Sequence, residues 1–375
     1  MRMAVIVPYM AVPSTPAERS NQVPMPAQPD DWTEPGAYPV APGVHRVPLP
    51  LPHDSLRAVN VYVIEDAQGL VLVDSGWALP GTERALTEGL RRLGHALGDV
   101  GHVFVTHAHG DHYTQAIRLR ELFGTRVSIG GGEQPNIERV YEPGFDGYDD
   151  QYALLRRYGA ADLAELMAKW ASEAFDRDNL LWGRPDGWLA DGERLPLRDR
   201  GVDVIATPGH TRGHVVLRDG AAGLLFAGDH VLPHITPSIG FEPAVTPAPL
   251  RSYLASLRLV RDLPDTVLLP AHGPVTRSVH TRVDELLRHH EVRLEAVLRA
   301  VVGGRTTAPE VAAELRWTRR ELPLDRLDVF NRALAVMETG AHLDVLAMHG
   351  EITAAEHDGV RHYTPEPSGT SNPRS

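Results

Sequence analysis

One run of metal-ligating side chains, THAHGDH at residues 106–112, constrains this chain more than any other feature. It places His107, His109, Asp111 and His112 within six residues, directly after the apolar residues 103–105. A strand that ends in a loop of imidazoles and a carboxylate is typical of a metal site, because zinc accepts these ligands where one position stays open for water. Nineteen histidines could cluster by chance, so this prediction needs support from other segments.

Four further segments repeat the same design. Each is a β-type apolar run that ends in an aspartate or a histidine beside a glycine or proline turn. The residues at these ends are Asp74 in LVLVDSG (70–76), His210 in TPGHTRGH (207–214), Asp229 in LLFAGDH (224–230) and His272 in VLLPAHG (267–273). Any one of them could be a buried core residue or a cap, but five such runs in series predict one shared metal centre.

These motifs resemble those of the metallo-β-lactamase-fold hydrolase superfamily, in their glyoxalase II-like and lactonase-like form, over roughly residues 40–280. The resemblance implies an α/β fold, a four-layer αββα sandwich with the site at one edge. It also implies a ligand set. One metal ion would be held by His107, His109 and His210, a second by Asp111, His112 and His272, with Asp229 bridging the two, Asp74 supporting the histidine loop from behind, and His214 close behind the ligands.

The chemistry of such a centre follows from its ligands. Two neighbouring metal ions that share a water lower its pKa towards neutrality and polarise a carbonyl or phosphoryl oxygen. We therefore predict a dinuclear hydrolase with two divalent ions, zinc being favoured, that uses a metal-bridging hydroxide and no covalent enzyme intermediate. Asp111 is assigned two roles, as a ligand and as the group that orients the hydroxide.

Composition and periodicity divide the chain into regions. Nine prolines among the first 42 residues predict a disordered leader over 1–42. Alternating strand and helix patterns predict the catalytic domain over 43–275, interrupted at 132–190 by a helical insertion that could be a packed layer or a lid over the metals. Residues 276–365 predict a separate small domain, and residues 366–375 a disordered tail.

The C-terminal region shows three helical patterns followed by a hairpin pattern around Asp358 and Gly359. It resembles the winged-helix domain that follows the metal domain in some members of the superfamily. The resemblance rests on GRT at 304–306, LRW at 315–317, AHL at 341–343 and GVRHY at 359–363. Between residues 281 and 365 there are 11 arginines and no lysine against 14 acidic residues. Because nucleic-acid faces are normally basic, we expect a module that packs near the active-site rim or mediates a homodimer.

The substrate is predicted from the surroundings of the ligands. We favour a small-molecule acyl substrate, a carboxylic thioester, ester or lactone, because the insertion is rich in aromatic residues and the chain is acidic. The alternative is a phosphodiesterase or endoribonuclease on the same metal site, and the third possibility is a catalytically silent metal-binding module. Five residues are candidate substrate contacts, each with packing in the core or exposure to solvent as the competing interpretation: Tyr113, His230, His234, Tyr148 and Trp182.

Composition excludes several other classes. The chain has no cysteine, which excludes thiol catalysis, thiolate ligands and disulfides. A formal net charge of −12 disfavours nucleic acid and anionic membranes as partners. No apolar stretch approaches the roughly 18 residues of a membrane span, and we expect a cytoplasmic location.

Overall fold

Two stacked β-sheets form the centre of the molecule in the computed structural model, which describes residues 26–51, 56–67, 69–174 and 181–366. The first sheet has seven strands in sequential order. These strands are β1 (Tyr38–Ala41), β2 (Val44–Pro50), β3 (Ala58–Asp66), β4 (Gly69–Val73), β5 (Val100–Val105), β6 (Arg126–Gly130) and β7 (Gly187–Leu189). Strands β1 to β4 pair antiparallel, whereas β4, β5, β6 and β7 run parallel. The carboxyl ends of β4 and β5 therefore lie side by side at one edge of the sheet.

The second sheet has four strands in the order β11, β10, β9, β8. Their bounds are β8 Val202–Ala206, β9 Val215–Asp219, β10 Leu224–Gly228 and β11 Val267–Pro270. Strands β10 and β11 are parallel, so the residues that follow them, Asp229 and His272, leave the sheet at the same edge.

Helices cover the outer face of each sheet. The helices of the catalytic region are α1 (Pro80–Arg92), α2 (Gly110–Phe123), α3 (Gln134–Arg139), α4 (Asp149–Arg157), α5 (Ala161–Ala174) and α6 (Pro249–Asp262), and those that follow are α7 (Val279–Val302), α8 (Ala308–Glu314) and α9 (Val329–Met348). Within the described residues, no helix combines the length and apolar character needed to cross a membrane.

Three apolar cores define the layers. Leu72 and Val105 of the first sheet pack against Leu86 of α1 and Ile117 of α2. The two sheets meet through a second core that includes Val73, Phe104 and Leu217, with the rings of Tyr62 and Phe226 in edge contact at 5.3 Å. Leu225 and Leu268 of the second sheet pack against α6 and α7 through Tyr253 and Leu286. This arrangement confirms the predicted four-layer αββα fold.

The insertion and the C-terminal region share a fourth core. Leu155 of α4 and Met167 of α5 are buried in the same cluster as Phe330 and Val336 of α9 and the indole of Trp317. Helices α4 and α5 are separate elements because the chain turns at Gly159, whose φ of +90° is in the left-handed region. The insertion thus includes a layer packed on the C-terminal helices, and its last residues form β7 of the first sheet.

The C-terminal region contains the predicted series of three helices followed by a hairpin. The hairpin strands are β12 (Ile352–His357) and β13 (Val360–Pro365), which pair antiparallel around the turn at Asp358 and Gly359. Its assignment as a winged-helix domain remains a prediction.

The sheet begins before the predicted boundary at Gly43. Strand β1 pairs with β2, and the buried guanidinium of Arg46 holds the segment that precedes it. Arg46 Nη1 donates to Trp32 O at 2.6 Å and to Asn60 Oδ1 at 2.9 Å, and Nε donates to Gln28 Oε1 at 3.2 Å. The prediction of a disordered leader is therefore wrong for residues 26–42, since a buried cation recruits their polar groups despite the prolines. Residues 1–25 and 367–375 lie outside the described residues.

We expect Arg46→Met to release residues 26–37 from the sheet and to lower the free energy of unfolding by about 2 kcal/mol, because one buried and two partly buried acceptors lose a charged donor. Denaturant unfolding and amide hydrogen exchange would measure both effects. Arg92→Met is the matched control, because this arginine is exposed and its hydrogen bond to Pro35 O is long, at 3.4 Å. Unchanged exchange in residues 26–42 of the Arg46 variant would contradict the assignment.

Candidate metal centre

The loop that follows β5 and the first turn of α2 together carry four of the predicted ligands, because strand and helix are joined by only a few residues. Strand β5 ends at Val105, His109 is the residue before α2, and Asp111 and His112 lie in the first turn of that helix. The residues between strand and helix therefore project at the edge of the sheet. There they face Asp229 and His272 from the second sheet and His210 from the loop after β8.

Three histidines and one aspartate form a first cluster. His210 Nε2 lies 3.2 Å from His107 Nε2 and 3.1 Å from His109 Nδ1. Asp229 Oδ2 lies 3.5 Å from the same His210 nitrogen. All four side chains are buried, and one ligand atom from each lies within 4.8 Å of the others.

The second cluster consists of Asp111, His112 and His272. His272 Nε2 lies 3.4 Å from Asp111 Oδ2, and His112 Nε2 lies 3.6 Å from the same oxygen. Asp229 Oδ1 lies 3.4 Å from His272 Nε2 and 3.7 Å from His112 Nε2. Since the other oxygen of Asp229 faces His210, this carboxylate lies between the clusters, where the resemblance places a bridging ligand.

The two clusters fit divalent cations. Ring nitrogens that face one another at 3.1–3.2 Å direct their lone pairs into a common space when both are unprotonated. In the second cluster, His112 Nε2 and His272 Nε2 are buried and have no hydrogen-bond partner among the described residues, and the same is true of Asp229 Oδ1, which faces them. Because buried polar atoms are normally satisfied, these unpartnered atoms fit a site that could hold a metal ion at each cluster.

The remaining ring nitrogen of each predicted histidine ligand has a partner. His109 Nε2 donates to Phe241 O at 2.9 Å, His210 Nδ1 to Ser238 O at 2.7 Å, and His272 Nδ1 to Ala58 O at 2.8 Å. His107 Nδ1 lies 3.1 Å from the Thr106 hydroxyl oxygen. These bonds orient the rings and fix which nitrogen faces the centre, as in known metal sites.

Asp74 supports the second cluster from behind. Its backbone is left-handed, with a φ of +59°, which turns the carboxylate towards the loop after β5. Asp74 Oδ2 accepts from His112 Nδ1 at 2.9 Å, and Oδ1 accepts from the Thr106 backbone N–H at 2.8 Å. Asp74 thus lies where a supporting rather than a ligating residue belongs.

His214 supports Asp229 through the backbone. Its Nε2 accepts from the backbone N–H of Asp229 at 3.1 Å, while Nδ1 donates to the Thr207 hydroxyl at 2.9 Å. Burial, together with the neighbouring His230, lowers the pKa of His214 well below its usual value. The neutral ring can therefore accept this hydrogen bond.

The two clusters differ in electrostatics. Burial lowers the pKa of His107 well below its usual value and that of His210 to about 3, so these rings are neutral, the form that a metal ligand requires. Burial by itself would lower the pKa values of His112 and His272. The nearby carboxylates have the larger effect and raise these pKa values to about 10 and about 9. The second cluster has an excess of negative charge that attracts cations.

An apolar cleft opens over the clusters. Besides ligand residues, it is lined by Leu56, Leu232, Ile235, Thr236, Pro237, Ser238, Phe241, Phe330 and Leu334. Phe330 and Leu334 belong to α9 and lie far from the histidine loop in sequence, and no sequence pattern identified them. The free space in the cleft is narrow, about 30 Å³.

Within the described residues, the five predicted substrate contacts are not part of this lining. Tyr113 is buried in the core, donates to Gly183 O at 2.6 Å and packs 5.7 Å from the ring of Trp182. Tyr148 is buried against Phe241, with ring centres 5.7 Å apart. His230 is buried against Tyr253, whereas His234 is exposed. These positions place Tyr113, Tyr148 and His230 in packing contacts with other buried rings rather than in the wall of the cleft.

Comparisons with known proteins agree with this geometry. The model of the metallo-beta-lactamase superfamily matches residues 54–272. A probable metallo-hydrolase of Bacillus subtilis, YqjP, is 27% identical over 320 residues, which cover 82% of this chain and 93% of that protein. An atrochrysone carboxyl ACP thioesterase of Aspergillus fumigatus is 23% identical over 233 residues, 62% of this chain and 42% of that protein.

Two solved structures extend the similarity through the C-terminal region. A metallo-beta-lactamase family protein of Thermus thermophilus aligns with a TM-score of 0.71 at 28% identity, over 87% of this chain and 99% of that one. A beta-lactamase domain protein of Burkholderia ambifaria aligns with a TM-score of 0.67 at 28% identity, over 88% of this chain and 94% of that one. With more than half of its length matched by the family model and its histidines and aspartates gathered into two buried clusters, this chain belongs to the metallo-beta-lactamase superfamily.

Proposed function

We propose that this protein is a dinuclear metal-dependent hydrolase that cleaves a carboxylic thioester, ester or lactone with an apolar acyl group. One observation carries the proposal: the Asp229 carboxylate faces both ligand clusters at the floor of an apolar cleft. Zinc is the favoured metal because imidazole and carboxylate ligands suit it.

Bound at the two clusters, divalent cations would acidify a water and polarise the scissile carbonyl. The residues of the chain would set the geometry. Asp111 lines the cleft and would ligate from the second cluster, where its carboxylate would orient a nucleophilic water and accept a proton from it. Asp74 would keep His112 in the tautomer that presents Nε2 to the metal.

The lining of the cleft supports an apolar acyl group. Leucine, isoleucine, proline and phenylalanine side chains form most of the wall, and no arginine or lysine is among the described lining residues. This wall favours an uncharged carboxylic ester over the phosphodiester alternative, since polyanion sites are normally basic. The free space holds only one or two waters, so an acyl group requires the apolar side chains to rotate. The Aspergillus relative is named as a thioesterase, which agrees with a carboxylic thioester as the proposed substrate class.

We expect Asp111→Ala to lower kcat/KM by more than about 100-fold, beyond the usual effect of losing a supporting partner. Medium-chain acyl thioesters, acyl-homoserine-type lactones and a chromogenic phosphodiester would be compared with metal-loaded protein, and bound metal would be counted by elemental analysis. Glu121→Gln is the control, an exposed acid on the same helix. If the phosphodiester were cleaved faster than the thioesters and lactones, and this cleavage required Asp111, the proposed substrate class would be wrong. Full activity in the Asp111 variant would overturn the site assignment.

We expect Phe330→Leu to shift the acyl-chain preference towards longer chains, by about 10-fold in relative kcat/KM, because differences of one or a few methylenes are discriminated on this scale. The leucine keeps apolar packing against Phe241, whose ring centre lies 5.4 Å from that of Phe330. A series of thioesters from two to twelve carbons would measure the shift. Met348→Ala, an exposed position on the same helix, should leave the profile unchanged. If the Phe330 variant kept the acyl-chain preference of the unmodified protein, α9 would be excluded from the acyl site.

A further inference from the structure

A buried carboxylate, Glu133, lies between two loops that carry metal ligands. It follows β6 and is fully inaccessible to solvent. Its carboxylate accepts from the Thr211 hydroxyl, and it interacts with the backbone N–H of Ala108, which favours its charged form. Ala108 lies between His107 and His109, and Thr211 follows His210. One side chain therefore joins the loops that carry all three histidines of the first cluster.

Glycines make this contact possible because the two loops touch through their backbones. A Cβ atom on Gly213 would overlap the backbone nitrogen of Glu133, and one on Gly130 would overlap the carbonyl oxygen of Gly213. A Cβ atom on Gly132 would lie 2.8 Å from the Gly213 Cα. Any side chain here would separate the loops and withdraw the carboxylate from Thr211.

A hydrogen-bond network continues from Glu133 to Glu242, the residue next to the carbonyl that orients His109. Asn136 Nδ2 donates to Glu133 Oε2 at 2.6 Å and to Glu242 Oε2 at 2.7 Å. Glu242 Oε2 also accepts from the backbone N–H of Arg212 at 2.7 Å. Glu242 directly follows Phe241, whose carbonyl accepts from His109. The network therefore holds the His107–His109 loop, the His210 loop and the acceptor that orients His109.

The second cluster is supported by other groups. His112 is held by Asp74, and His272 by the carbonyl of Ala58. The described contacts of Glu133 include no residue of this set. A buried carboxylate is costly unless its hydrogen bonds compensate for lost hydration, and here these bonds are concentrated on one half of the centre.

We propose that Glu133 is a positioning residue that sets the geometry of His107, His109 and His210 for the first metal ion. The inference rests on metal binding by the two clusters and is independent of the substrate. Loss of this carboxylate weakens the first site by about 10–100-fold, the scale found for supporting partners of metal ligands, and leaves the second site unchanged.

The test measures cobalt(II) affinity of each site separately, by calorimetric titration and visible absorption. Asp111→Ala isolates the first cluster and His107→Ala isolates the second, and Glu133→Ala is added to each background. Glu138→Ala, an exposed acid on the adjacent helix, is the matched control. Glu133→Gln retains an acceptor and should recover part of the affinity. Thr211→Val removes one donor and should reproduce part of the loss even if Glu133→Ala does not fold.

We expect weaker binding and an altered cobalt spectrum only in the background that retains the first cluster. Equal affinities with and without Glu133, or an equal loss in both backgrounds, would overturn the proposal, the latter showing a general structural role. Thermal unfolding of the metal-free variants separates a loss of fold from a loss of geometry. Absence of cobalt binding by the unmodified protein would instead refute the metal centre itself, which keeps the two failures distinguishable.

Discussion

The stacking of the two sheets is the constraint on which the rest of the structure depends. Tyr62, Val73 and Phe104 of one sheet meet Leu217 and Phe226 of the other in a closed apolar core. This packing aligns the carboxyl ends of two parallel strand pairs, β4 with β5 and β10 with β11. Predicted ligands that are far apart in the sequence, such as Asp111 and His272, thereby lie within a few ångströms of one another. Without this alignment of strand ends, the residues that follow β5 would lack the side chains that His210, Asp229 and His272 supply from the second sheet.

Charge is distributed unevenly across the centre. Around the first cluster, burial and neighbouring imidazoles keep His107 and His210 neutral, whereas carboxylates dominate around the second and raise the pKa values of His112 and His272. The supports differ in the same way. The second cluster is held by Asp74 and a backbone carbonyl, whereas the first is held by backbone carbonyls, a threonine and the loops joined by Glu133. The two clusters consequently have largely different neighbours, and they are linked by Asp229 and by Thr106, which contacts both His107 and Asp74.

The insertion and the C-terminal helices act on the cleft together. Tyr148 and Trp170 of the insertion contact Phe241 and Phe330, which line the cleft above the ligands. The aromatic residues of the insertion thus reach the cleft through other rings. This indirect route explains why the aromatic residues of the insertion, which the sequence reveals, are not themselves the residues that line the cleft.

The sequence by itself determined the sheet pattern and the histidines and aspartates that gather into the two clusters, because these residues follow apolar strands and such strand ends are recognised locally. It also determined the order of helices and hairpin after residue 276. Tertiary structure decided which residues face the cleft. Tyr113 is adjacent to a ligand in sequence, but the helical rotation of about 100° per residue places it in the core. Phe330 and Glu133 reach the centre only through packing between distant segments, and Arg46 orders a proline-rich segment through contacts that no local pattern encodes.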